Sequence, residues 1–167
     1  MRRIIAILLQ NEAGALVRVA GLFSARGYNI DSLTVAATHD PAISRLTLVT
    51  SGDDAVIDQI VKQSRKLIDV LEIADLSRSD HLESELLIVK IGLAGLAAAE
   101  FDACMRRHPA ACVVDQGTAS RVVQFSGTGR DVNAFFAELS NLAPVLELAR
   151  SGTAAVGRGD AVLTPRT

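Results

Sequence analysis

Two segments of this chain recur at nearly the same interval, and that recurrence constrains the fold more than any other feature. Arg45-Leu-Thr-Leu-Val-Thr-Ser-Gly stands 76 positions before Arg121-Val-Val-Gln-Phe-Ser-Gly, and Val70-Leu-Glu-Ile-Ala stands 75 positions before Val145-Leu-Glu-Leu-Ala. Each pair occupies the same slot in a βαββαβ order. Such an order closes as an antiparallel sheet with two helices on one face. The recurrence predicts an α+β chain of two related modules in tandem. A shared fold without a shared ancestor gives a similar echo, and the sequence leaves both origins open.

The elements follow from hydrophobic period. Ile4, Ile5, Ile7, Leu8 and Leu9 put apolar side chains on both faces of a strand, as in a central strand covered on both sides, or covered by a helix on one face and a partner on the other. A helix over 14–26 follows, then strands over 29–37 and 43–50, a helix over 54–66 and a strand over 68–76. Ser77-Arg-Ser-Asp-His81 is polar and reads as a linker. The second module has strands over 86–91, 111–115, 121–126 and 145–150, with helices over 97–107 and 131–140. The expected boundaries are 1–77 and 84–156, with 157–167 a loose Gly/Arg/Thr-rich tail.

Composition excludes several functions. Hydrophobic residues make up 49% of 167, enough for a sizeable core, and the net charge is −2. Nothing in that balance draws the chain to nucleic acid or an anionic membrane. The longest apolar run, Leu86 to Ala99, is too short to span a bilayer and is broken by Lys90. Met-Arg-Arg before Ile4–Leu9 lacks the cleavage site of a signal peptide, so a cytoplasmic location is expected. Cys104 and Cys112 fit no metal motif and form no disulfide framework, and both read as buried structural thiols. His39, His81 and His108 are scattered and read as surface residues. No catalytic set and no metal set is found. Gly127-Thr-Gly-Arg-Asp131 lacks the lysine of a phosphate loop and reads as a strand-to-helix turn.

Residues 11–33 are different. Ala13-Gly14-Ala15 stands where a helix begins, and Gly14 lets a ligand approach the free amides of the first turn. Those amides and the positive end of the helix dipole favour a carboxylate. Asn11 can accept from an ammonium or cap the helix, and Asn29 can donate or accept near the sheet edge. Leu16 and Val35 could receive an aliphatic side chain. The local residues allow two readings: a site for a free amino acid, or an ordinary N-cap at Asn11 and a turn residue at Asn29.

The stretch Asn11-Glu-Ala-Gly-Ala-Leu-Val-Arg-Val-Ala-Gly-Leu-Phe-Ser-Ala-Arg-Gly-Tyr-Asn-Ile-Asp-Ser-Leu33 resembles the small regulatory subunits of acetolactate synthase (acetohydroxyacid synthase). The resemblance continues through Asp40-Pro41, Ser44-Arg45 and Lys66-Leu-Ile-Asp-Val70 to residue 76, and is looser beyond. It implies two ferredoxin-like modules, the first an ACT domain. It implies a non-catalytic subunit that activates a large catalytic subunit and confers feedback inhibition by valine. Thiamine diphosphate, FAD and magnesium would belong to that large subunit, and this chain would carry no cofactor. The resemblance further implies a homodimer through the ACT domain, with valine near Asn11, Ala13, Gly14, Ala15, Leu16, Asn29 and Ile30. In such a dimer Ile4–Leu9 and residues 29–37 would help form an intersubunit sheet, and the helix-free face would need cover. A stand-alone amino-acid sensor is the alternative. An RNA-binding module of the same order is set aside, because only Phe125 offers an aromatic ring well inside a strand.

Overall fold

The computed structural model describes residues 1–166 and forms two compact units. Of the described residues, one comprises Met1–Leu82 with 153–166, and the other Glu83–Gly152.

The first unit runs β1 (Arg2–Gln10), α1 (Ala15–Ala25), β2 (Ser32–Ala37), β3 (Ile43–Ser51), α2 (Asp54–Ser64) and β4 (Val70–Asp75). All strand pairs are antiparallel, and the sheet order is β2-β3-β1-β4. Strand side chains alternate between faces. Ile5, Ile7 and Leu9 of β1 therefore join Leu46 and Leu48 of β3 beneath Val19 and Phe23 of α1 and Ile57 and Ile60 of α2. Asp53 caps α2 by accepting the Val56 N–H at 2.9 Å.

Ile4 and Ala6 point to the other face and are buried with Val49, Leu76 and Ala155. The cover expected for the helix-free face thus comes partly from this chain's own last segment. Arg45 Nη2 donates to the Ala155 carbonyl at 2.8 Å, and the Arg166 N–H donates to the Leu71 carbonyl at 3.2 Å. Residues 153–166 therefore pack on the first unit rather than trailing from the second, and they include a ninth strand, β9 (Ala154–Gly157). Ala155 and Leu163 supply the apolar contacts that hold a segment otherwise rich in Gly, Arg and Thr.

One other expectation changes. β1 lies inside the sheet with neighbours on both sides, so its backbone groups are used within the chain and it cannot form an intersubunit edge. β2 does lie at an edge. The stretch after β4 opens with an ordered 3₁₀ turn, Leu76–Arg78, shortly before the boundary between the units at Leu82. Ser77 Oγ accepts the Ile4 N–H at 2.7 Å, and Asp75 accepts the Ser77 N–H at 3.0 Å.

The second unit repeats the plan: β5 (His81–Gly92), α3 (Ala98–Arg107), β6 (Ala111–Gln116), β7 (Ser120–Gly127), α4 (Gly129–Leu142) and β8 (Val145–Arg150). The path through its sheet is β6-β7-β5-β8, the same topology as the first. The echoed segments thus fall on β3 and β7, and on β4 and β8. Leu87, Val89, Val123 and Phe125 form its core with Phe101 of α3 and Val132, Phe135 and Leu139 of α4. A reciprocal capping box between Thr128 and Asp131 starts α4, earlier than the apolar period indicates.

Candidate functional site

The candidate site is built around the start of α1. Gly14 is the N-cap residue, with φ 90° and ψ −13°, a left-handed conformation that favours glycine. No side chain caps the helix. The first turn therefore keeps the anion-attracting character of an open N-terminus.

Arg18, one turn along, was not singled out by sequence reasoning. Its Nη1 would stand 2.9 Å from a Cβ placed on Gly14. Arg18 is held there by Asp69, just before β4: Nη2 donates to Asp69 Oδ1 at 2.7 Å and Nε donates to Oδ2. Hydrogen bonding to Arg18 outweighs desolvation and keeps the Asp69 carboxyl below its usual range. The same pairing raises the Arg18 guanidinium. The Nη1 side of a guanidinium whose charge is shared with Asp69 thus borders the open helix end. The available signal was Arg18 four residues after Gly14, a spacing that stacks side chains on one helix face.

Asn11 is not the helix cap. Its Nδ2 donates to the Pro41 carbonyl at 2.8 Å, and its Oδ1 accepts from Ser44 Oγ at 3.0 Å. These bonds fasten the β2–β3 turn to the end of β1. Asn11 is nonetheless exposed, and an amide oxygen has a second lone pair for another donor. Asn29 Nδ2 donates to Asp31 Oδ1 at 2.6 Å, and the Asn29 carbonyl accepts from Thr50 Oγ1 at 2.6 Å.

The two asparagines occupy opposite ends of the sheet. Gln10 pairs with Ile43, while Ser32 pairs with Val49, six residues further along β3. At about 3.4 Å per residue that separates the two ends by roughly 20 Å. One chain therefore does not bring Asn11 and Asn29 together.

Among the other sequence-selected residues, Ala13 is exposed and Ile30 is partly buried against the first core. The Ala15 side chain is buried, and its N–H is taken by the Glu12 carbonyl at 3.2 Å. It cannot line an open site. Leu16 and Val35 are each 38% exposed, with Val17 at 72%. Val35 is two residues from Leu33, so it lies on the helix-bearing face, near the end of the sheet where α1 starts.

The cysteines differ from expectation. Cys104 is buried, but Cys112 is exposed on β6, which lies at the edge of the sheet path. His108 is half-buried rather than a surface residue. It packs edge-on against Phe125 and Phe135, with ring centroids 6.0 and 5.1 Å away. Cys104, His108 and Glu138 form one cluster in the second unit.

Two βαββαβ units, the first with an open, glycine-capped helix at its sheet end, define an ACT-domain protein with a second ferredoxin-like module. Residues 5–72 match the AHAS small subunit-like ACT domain, and residues 84–159 match the small subunit of acetolactate synthase. The acetolactate synthase isozyme 3 small subunit of Salmonella typhimurium LT2 is 45% identical over 98% of this chain and 99% of its own length. The protein of the same name from Escherichia coli K12 is 44% identical over the same shares. The crystal structure of the acetolactate synthase small subunit from Thermotoga maritima superposes with a TM-score of 0.84 at 29% identity, covering 96% of this chain and 99% of that one. The chain belongs to the family of acetolactate synthase small subunits. Among the described residues no helix is long and apolar enough to cross a membrane.

Proposed function

We propose that this chain is the non-catalytic regulatory subunit of an acetolactate synthase in branched-chain amino-acid biosynthesis. It binds the catalytic large subunit, raises its activity and makes it sensitive to valine. Thiamine diphosphate, FAD and magnesium act in the large subunit, and the complex works in the cytoplasm.

The observation that carries the reading is the open N-terminus of α1 at Gly14, bordered by Arg18 and exposed Leu16. Amides and positive charge suit a carboxylate, and Leu16 and Val35 suit a branched aliphatic side chain. The missing part is a partner for the ammonium group and a cover against water. A second copy supplies both. Two β2 edges paired antiparallel about a twofold axis reverse direction, so the Asn11 end of one copy meets the Asn29 end of the other. In this arrangement Asn11, Ala13, Gly14 and Leu16 come from one subunit, and Asn29 and Ile30 from its partner. Ala15 contributes shape but no ligand contact.

Valine then acts as a bridge between copies. It shifts the complex only by its difference in affinity between the active and inhibited arrangements. The test is reconstitution with the large subunit, assayed with and without valine. Stimulation together with valine inhibition supports the reading; a large subunit whose rate the chain does not change sinks it.

A further inference from the structure

The second unit carries a cluster that the effector reading does not use. Cys104 and His108 lie four residues apart on α3 and its C-terminal cap, so both face α4 from one side. Glu138 of α4 faces them. One ligand atom from each of the three lies within 4.8 Å of the others. We propose that Cys104, His108 and Glu138 form a binding site for a thiolate-seeking divalent cation of the zinc class.

The donor set is sulfur, nitrogen and oxygen, the mixture that zinc accepts in tetrahedral sites. Zinc-to-ligand distances of about 2.0–2.3 Å place neighbouring ligand atoms roughly 3.3–3.8 Å apart. The His108 Nε2 to Glu138 Oε2 separation is 2.9 Å, so a cation replaces the bridging proton with a small outward shift of the pair.

The surroundings hold the ligands in place. Arg107 Nε donates to Glu138 Oε1 at 2.9 Å, which leaves Oε2 for the cation and orients the carboxylate from its outer side. Phe125 and Phe135, stacked with centroids 4.7 Å apart, fix the plane of the His108 ring. Cys104 lies fully buried at the inner end, while His108 and Glu138 keep 19% and 28% of their side chains exposed. A fourth position therefore opens toward water. Burial, with Glu138 beside it, pushes the Cys104 thiol up to about 11. The sulfur and imidazole donors themselves favour zinc or cobalt over magnesium or calcium. The Cys104 thiol already hydrogen-bonds to Glu138, so all three side chains converge on one carboxylate, and a cation would take the place of the protons they share.

The test uses the full chain with Co²⁺ as probe and no synthase present, so its outcome is independent of the effector reading. Saturating Co²⁺ should give a thiolate-to-metal charge-transfer band in the near ultraviolet, removed by equimolar Zn²⁺. Cys104→Ser should abolish the band, and Cys112→Ser should leave it unchanged. Glu138→Gln, which keeps the shape of the side chain, should weaken Co²⁺ binding tenfold or more. The proposal fails if the wild-type chain shows no such band. It fails equally if the band survives Cys104→Ser, or if Glu138→Gln binds Co²⁺ as tightly as the wild type.

Discussion

Arg18 donates from Nη2 to Asp69 Oδ1 at 2.7 Å, and this pair joins the first turn of α1 to the segment that enters β4. Asp69 is almost wholly buried while Arg18 is half-exposed. The carboxylate therefore depends on the guanidinium for solvation more than the reverse.

The pair gives the first unit a defined response to acid. The Asp69 carboxyl titrates below the usual aspartate range in the folded chain because Arg18 bonds to its charged form. A depressed folded pKa adds stability that is complete above the unfolded value and is lost as pH falls through the folded one. Thermal unfolding followed from about pH 5 to about pH 2 should show this loss, and Asp69→Asn should flatten that part of the profile. At neutral pH Asp69→Asn should lower Tm, because Arg18 loses its ionised partner.

Gly14 and Gly27 separate backbone strain from ligand contact. Both have positive φ, 90° and 69°, and only Gly14 has a neighbour where a Cβ would stand. Alanine at either position should cost about 1–2 kcal/mol in left-handed strain. In a chain of this size that corresponds to a Tm loss of about 2–4 °C per kcal/mol. Gly14→Ala should also weaken the valine response of the reconstituted enzyme at least tenfold, while Gly27→Ala keeps it. Gly14→Asp should abolish the response, since its carboxylate takes the anion position beside Arg18. Equal valine responses in Gly14→Ala and Gly27→Ala would remove Gly14 from the site.

The last segment should stabilise the first unit. A chain ending at Gly152 loses Ala155 and Leu163, and Ile4, Ala6 and Val49 become exposed. It also loses the Arg45 bond to the Ala155 carbonyl. Such a chain should bind a hydrophobic dye in its native state and melt below the full chain. Unchanged melting would mean that the segment adds nothing to this face.

Much of this molecule is legible in the residues. The aliphatic run of β1 required cover on both faces, and the structure supplies it with α1 and α2 on one side and residues 153–166 partly on the other. The identity of that cover was hidden because Ala155 and Leu163 sit in apolar runs of only three residues, Ala154-Ala-Val156 and Ala161-Val-Leu163, too short to show a period. Gly14 at the helix start was visible, since a glycine before an amphipathic run has few other uses. The role of Asn11 was not, because an asparagine four residues before a helix bonds equally well to a turn. Its partners, Pro41 and Ser44, are remote in sequence. The Cys104–His108 spacing was open to inspection, but Glu138 lies 30 residues away on another helix, and only the packing of α3 on α4 assembles the three.

The central claim is that the effector pocket takes Asn11 from one subunit and Asn29 from its partner. It is tested most directly by mixing chains carrying Asn11→Ala with chains carrying Asn29→Ala and titrating valine by calorimetry. Each variant alone should bind weakly, because every pocket lacks one asparagine. In a mixed dimer one pocket loses both residues and the other regains both. After full exchange of equal amounts, about a quarter of all pockets should bind valine with wild-type affinity. If the mixture binds no better than its components, Asn11 and Asn29 do not share a pocket across the dimer, and the account is contradicted.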